Sequence, residues 1–179
     1  MTEIEEKYPN FLKVVLENTY GIHPAPPSPI EEDNSRERNG ELLSVGKKVK
    51  ESKGLVIVVG DFNNVAWAKS SILFRKTSEL IDPRIGRGFI ATYHAKYRLL
   101  RFPIDLFFHS TDIFMEDFKT LRNIGSDHLP LFCKFFINQT EGSQKEEMET
   151  LEEGEEEEVE EMIEDGINEE SDRPVAASE

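Results

Sequence analysis

An α/β chain with a mixed sheet is predicted, and three observations predict it. Short apolar runs recur at residues 55–59, 104–108 and 131–137. Stretches with apolar residues at helical spacing are set before and after the first of these runs. The resulting order is strand, helix, strand, helix, strand, strand. Residues 14–22 form the first expected strand and run into His23, after which Pro24, Pro26, Pro27 and Pro29 enforce an extended loop. Asn39 is placed to cap a helix in which Leu42, Val45 and Val49 fall at i, i+3 and i+7, ending near Gly54. Residues 55–59 then read as a strand covered on both faces. A second helix is expected over 67–80, with Ile72, Leu73, Phe74 and Leu80 among its apolar positions. Residues 104–108 make a strand with Asp105 embedded in it, 112–122 a charged connection, and 131–137 the closing strand.

Charge divides the chain. The whole carries −15, but residues 139–179 hold eighteen of its thirty-six acids and two of its twenty-one bases, leaving +1 for residues 1–138. The acidic segment has no aromatic residue and few aliphatics, so it is expected to be a disordered tail. The organisation expected is a short charged segment over 1–13, one domain over 14–138 and the acidic tail over 139–179. Cys133 is the one cysteine, which excludes an internal disulfide framework or thiolate metal site. A reducing compartment is favoured, and the cytoplasm is the expected location. Residues 1–10 are charged and unlike a signal peptide, and no stretch approaches eighteen apolar residues, so no membrane span is expected.

The chemistry concentrates in acids. Gly60-Asp61-Phe62-Asn63 stands behind the 55–59 run. As turn chemistry it needs no further role, since short polar side chains hydrogen-bond their own backbone. Asp127, in Gly125-Ser126-Asp127-His128-Leu129-Pro130, precedes its strand whereas Asp61 follows one, so both carboxylates reach one rim if the strands are antiparallel neighbours or lie in two sheets with opposed directions. Asp105 lies inside an apolar strand, where a carboxylate is costly unless a cation meets it or it stays protonated, and His128 is a candidate partner. The competing reading makes Asp105 an outward position on an edge strand. Residues 83–104 contain no acid but do contain Arg84, Arg87, Lys96, Arg98 and Arg101, interleaved with aromatics. That segment is either a solvated loop or a contact to a polyanionic backbone with aromatics available for stacking.

The succession of "GIHPAPPSP", "GDFN", the Asp105 strand and "GSDHLP" resembles the endonuclease/exonuclease/phosphatase superfamily. That group includes DNase I-like nucleases, abasic-site endonucleases, sphingomyelinases and inositol-polyphosphate phosphatases. The resemblance covers about residues 14–138 and corresponds to the second half of such a domain. It implies a four-layer α-β-β-α sandwich, here truncated at the N-terminal half that supplies an Asn and a metal-binding Glu. A partner chain or the missing half is therefore an expected partner.

The resemblance also implies a Mg²⁺-dependent (or Mn²⁺-dependent) phosphoesterase, nuclease or phosphatase, acting by in-line attack of water on a phosphate ester. Hydrolysis of such a bond needs a hard cation with oxygen ligands and a water oriented by an acceptor such as Asp61. Asn63 is expected to donate to a phosphoryl oxygen or fix that water. His128, oriented by Asp105, is expected to stabilise charge in the transition state. By resemblance Asp127 is a metal ligand and His23 a second phosphate contact. The basic segment leans towards a polyanionic substrate, with nucleic acid one candidate. The alternative from another class is an inactive half-domain that acts as a binding module with an acidic interaction tail.

Overall fold

In the computed structural model, residues 19–24, 33–138 and 144–172 are described. The elements in order are β1 (Thr19–Ile22), α1 (Asp33–Lys50), β2 (Ile57–Asp61), α2 (Lys69–Ser78), β3 (Asp105–His109), β4 (Ile113–Thr120), β5 (Leu131–Ile137) and α3 (Glu155–Asp172). The expected strand over 14–22 is seen from Thr19, and its start, like the loop from Ala25 to Pro29, lies outside the described residues.

Among the described residues β1, β2 and β3 form one sheet, with β1 parallel and β3 antiparallel to the central β2. β4 and β5 form a second, antiparallel sheet. The central strand alternates between two cores, as a strand covered on both faces must. Val56 and Val58 turn with Leu106 and Phe108 towards the helices, where Leu42, Leu43, Leu73 and Phe74 meet them. Leu55, Ile57 and Phe107 turn the other way, against Ile113, Met115 and Phe118 of the second sheet. The layers are therefore helices, sheet, sheet.

Three expectations are corrected. Helix α1 begins at Asp33, so Asn39 is inside it and not its cap. Residues 113–120 are a strand, where a charged connection was expected. A register shift between Met115 and Asp117 interrupts the alternation and brings Phe118 back to the core face, which hides the period of two in the sequence. The largest correction concerns the acidic tail. Residues 155–172 form α3, which packs on α1 and is tied to α2 by ion pairs. Its few aliphatics are spaced for one face: Val159 is fully buried, and Met162 and Ile163 pack on the helix-side core with Leu151. Gly40 and Gly166 meet at the crossing, where a Cβ on Gly40 would stand 2.9 Å from the Met162 carbonyl oxygen. Lys76 binds Glu152 and Glu155, Lys69 binds Glu158, Lys47 binds Glu160 and Arg75 binds Glu149. A composition that reads as unfoldable alone is thus offset by bases from α1 and α2.

Candidate functional site

The site is built where β2 and β3 end. Antiparallel register sets Asp61 directly opposite Asp105. Two like charges in that position destabilise a strand pair unless something lies between them. His128, on the loop before β5, fills this role. Its Nδ1 is 2.7 Å from the Asp105 Oδ2, and its Nε2 is 3.9 Å from the Asp61 Oδ2. An ionised carboxylate only accepts, so the Nδ1 hydrogen faces Asp105 and Nε2 is left towards Asp61. One ligand atom from each of Asp61, Asp105 and His128 lies within 4.8 Å of the others. All three are partly buried.

Gly60 permits this approach. It sits within β2, paired with Ile22 on one side and Leu106 on the other. A Cβ there would overlap the Ile22 carbonyl, so the glycine serves close strand packing rather than a turn. The turn begins at Asn63, which has φ 49°. Its backbone N–H donates to Asp61 Oδ1 at 2.8 Å, and its side-chain amide donates to the Pro24 carbonyl at 2.8 Å. Asn63 therefore holds the Asp61 carboxylate and ties the loop after β1 to the loop after β2. Burial lifts the Asp61 carboxyl above its ordinary value, and the facing Asp105 adds to this. The Asn63 N–H, His128 and, more weakly, His23 pull it back. His23 is exposed at the end of β1, within electrostatic reach of Asp61.

Asp127 is not brought into the cluster. It is exposed, its Oδ1 lies 3.4 Å from the Ser126 hydroxyl, and its backbone carbonyl accepts from the Ala95 N–H. Two contributors were missing from the sequence reading. The Arg38 guanidinium, buried in α1, donates to the Asn63 carbonyl at 3.1 Å and so supports the turn from behind. The ring of Tyr93 lies 5.0 Å from that of His128, and the two residues share a backbone bridge. An arginine among helix charges gives no signal of such a role. Tyr93 stood out only as one aromatic among several.

Open clefts flank His128. One, of about 350 Å³, is lined by Gly60, Asp105, Ile124, Ser126 and His128 among others. The other, of about 440 Å³, is lined by Asn63, Val65, Tyr93, Phe102, Ile104 and His128. The basic segment beside them is less available than its composition suggests. Arg84 is buried against Asp82, Arg87 donates to the Met115 carbonyl, and Arg101 donates to the carbonyls of His94 and Ala95.

The family model for the endonuclease/exonuclease/phosphatase family matches residues 3–128, most of the chain and every residue of this cluster. The chain belongs to that family. Among solved structures it is similar to an endonuclease/exonuclease/phosphatase family protein from Bacteroides thetaiotaomicron, with 16% identity over 68% of this chain and 50% of that one, at a TM-score of 0.51. That likeness places the fold with the DNase I-like sandwiches. A mannosyl-6-phosphatase from the same organism shares 20% identity over 60% of this chain and 48% of its own, at 0.45. A functionally unknown conserved protein from Enterococcus faecalis shares 16% identity over 67% and 50%, at 0.48. The chain spans about half the length of these structures. No curated protein matches. Among the described residues no helix is long and apolar enough to cross a membrane.

Proposed function

We propose that the chain carries the phosphate-activating and water-orienting part of a divalent-metal phosphoesterase. The observation that carries this reading is the Asp61–Asp105–His128 cluster at the strand ends. Acids serving only a fold would not be held face to face with one imidazole between them. The reaction class is hydrolysis of a phosphate ester, and nuclease and phosphatase readings share the same groups.

In this reading Asp61 accepts a hydrogen bond from the attacking water and takes up its proton. Its raised pKa suits it to that proton, because burial already favours the protonated form. Asn63 keeps the Asp61 carboxylate in one orientation through its backbone N–H. Asp105 fixes His128 through Nδ1, so that the Nε2 side faces the phosphoryl oxygens and opposes the charge that develops there. His23 is a second contact to phosphate from the end of β1. Mg²⁺ or Mn²⁺ fits the donor set, since Asp61 and Asp105 offer carboxylate oxygens and such ions keep several waters beside one or two carboxylates. Asp127, on the exposed side of His128, is the further ligand that the resemblance suggests. When bound, the ion would neutralise charge on the phosphoryl group.

Hydrolysis of bis(p-nitrophenyl) phosphate and p-nitrophenyl phosphate tests this. The expected result is turnover that needs Mg²⁺ or Mn²⁺, disappears with a chelator and is lost in Asp105→Asn. Turnover unaffected by both treatments would overturn the reading. A second reading, the inactive binding module, is favoured by the cluster's holding two aspartates and one histidine and no glutamate among the described residues. Absent turnover combined with retained binding of a phosphate ester would support it.

A further inference from the structure

We infer that the face bearing the His128 clefts docks on an anionic lipid surface. Among the described residues, seven of the twelve exposed large apolar side chains fall between residues 67 and 102, and an eighth, Ile124, lines a His128 cleft. Soluble surfaces scatter such residues; here Phe102 and Ile124 line the His128 clefts, and Tyr97, Leu99 and Leu100 lie in the segment joined to Phe102. The segment is anchored to that site. Tyr93 bridges both Phe102 and His128, which makes residues 93–102 a hairpin whose base touches the histidine. A 3₁₀ turn, Arg98–Leu100, lies near its tip. Leu99 is 99% exposed and Leu100 63% exposed. Trp67 and Phe89 stack on each other nearby, and the backbone of Ala66, next to Trp67, is bonded to Pro103.

Charge selects the occupant. Residues 83–104 contain no acid in a chain that carries −15. Lys96 and Arg98 are exposed beside the apolar tip. The opposing charges close to the face are Asp61 and Asp105, held inside the site around His128, and the exposed Asp127. Exposed aliphatic and aromatic residues with bases at their flanks are the composition that enters the headgroup boundary of a bilayer. A nucleic-acid backbone fits less well, because Arg84, Arg87 and Arg101 are spent on internal partners, Trp67 and Phe89 stack on each other, and the most exposed residue of the hairpin, Leu99, is aliphatic. A symmetric second copy fits less well too, since it would set Lys96 and Arg98 against their own equivalents. Docked in this way, the Asp61–Asp105–His128 clefts open at headgroup level, where phosphate esters are dense. That consequence rests on the phosphoesterase reading, whereas the docking does not.

The test is co-sedimentation of the 179-residue chain with vesicles of phosphatidylcholine alone and of phosphatidylcholine with phosphatidylglycerol in equal parts. Binding is expected to the mixed vesicles and to be at least about tenfold weaker to phosphatidylcholine. Leu99→Ser with Leu100→Ser, and separately Lys96→Ala with Arg98→Ala, should each lower binding about tenfold. Both pairs are exposed, so circular dichroism should show an unchanged fold, and Ile167→Ser on α3 should bind as the parent does. Trp67 is the one tryptophan, and its emission should shift to the blue on binding. The proposal is overturned by absence of vesicle binding, or by loop variants that bind like the parent. Self-association abolished by Leu99→Ser with Leu100→Ser, without vesicle binding, would overturn it in favour of a second copy. A single-stranded oligonucleotide bound in place of vesicles would overturn it in favour of nucleic acid. None of these outcomes depends on turnover, so failure here leaves the phosphoesterase reading standing.

Discussion

At the ends of β2 and β3 two carboxylates face each other across a ladder, whereas along α3 the glutamates that touch the domain are met by lysines and arginines. The two regions treat charge in opposite ways. Burial and the facing Asp105 raise the Asp61 pKa. Glu155 is held below its ordinary value by the Glu152 N–H, and then by Lys76. Each Lys76 partner in turn raises the lysine, with Glu155 the larger influence. Acids given amides and cations serve packing. Acids kept face to face around one imidazole are the groups that the proposed reading assigns to a phosphate ester.

The largest expected effect tests that contrast at the strand ends. Asp105→Asn leaves a hydrogen-bonding group beside His128 but removes the charge that orients it, so turnover should fall by about 10²–10⁴-fold, with KM changing far less. Steady-state kinetics on a p-nitrophenyl ester reads both values, and a matching rise in KM alone would assign Asp105 to binding. At the other region, Gly166→Val should push α3 away from α1, because its Cα already lies 3.0 Å from where a Gly40 Cβ would stand. A loss of about 2–4 kcal/mol is expected, read by urea unfolding, with the β-sheet signal of the core retained at low denaturant. A neutral result would mean that α3 is not packed on the core.

Acid should separate the two regions by sign. For Asp61, whose folded pKa is raised, the stability contribution is fully present below its ordinary 3.8 and is lost as pH rises through the folded value. For Glu155, whose folded pKa is lowered, the contribution is present above its ordinary 4.5 and is lost as pH falls through the folded value. Thermal unfolding should therefore find Asp61→Asn more stable than the parent near neutral pH, by roughly 1 kcal/mol, with the gain vanishing in acid. Lys76→Met should be less stable than the parent at neutral pH, and the gap should narrow as Glu155 is protonated. Parallel pH curves for the parent and Asp61→Asn would mean that burial does not raise the Asp61 carboxyl.

How much of this could be read in the sequence depends on whether a signal is local. The apolar run ending at Val59, the strand over 131–137 and the acids at 61 and 105 are local patterns, and all lie where periodicity and cost of burial put them. The pairing of Asp105 with His128 also followed from a local argument, that a strand carboxylate needs a partner. Features that depend on distant surfaces were not legible. Residues 155–172 look unfoldable until the bases of α1 and α2 are laid against them. Strand β4 hid behind a one-residue bulge. Gly60 read as turn chemistry because nothing in its neighbourhood announces the Ile22 carbonyl. Arg84, Arg87 and Arg101 looked like a basic surface because their internal acceptors are set by tertiary structure.

Asp61, Asp105 and His128 are proposed to form a divalent-metal phosphoesterase site and not the remnant of a turn. A Mn²⁺ titration followed by electron paramagnetic resonance tests it most directly, comparing the parent with Asp61→Asn and with Glu161→Gln on the exposed side of α3. Weak, diffuse binding to the many glutamates should be common to all three proteins. One tighter site is expected in the parent and in Glu161→Gln, weakened by about tenfold or more in Asp61→Asn. Three superimposable binding curves would contradict it.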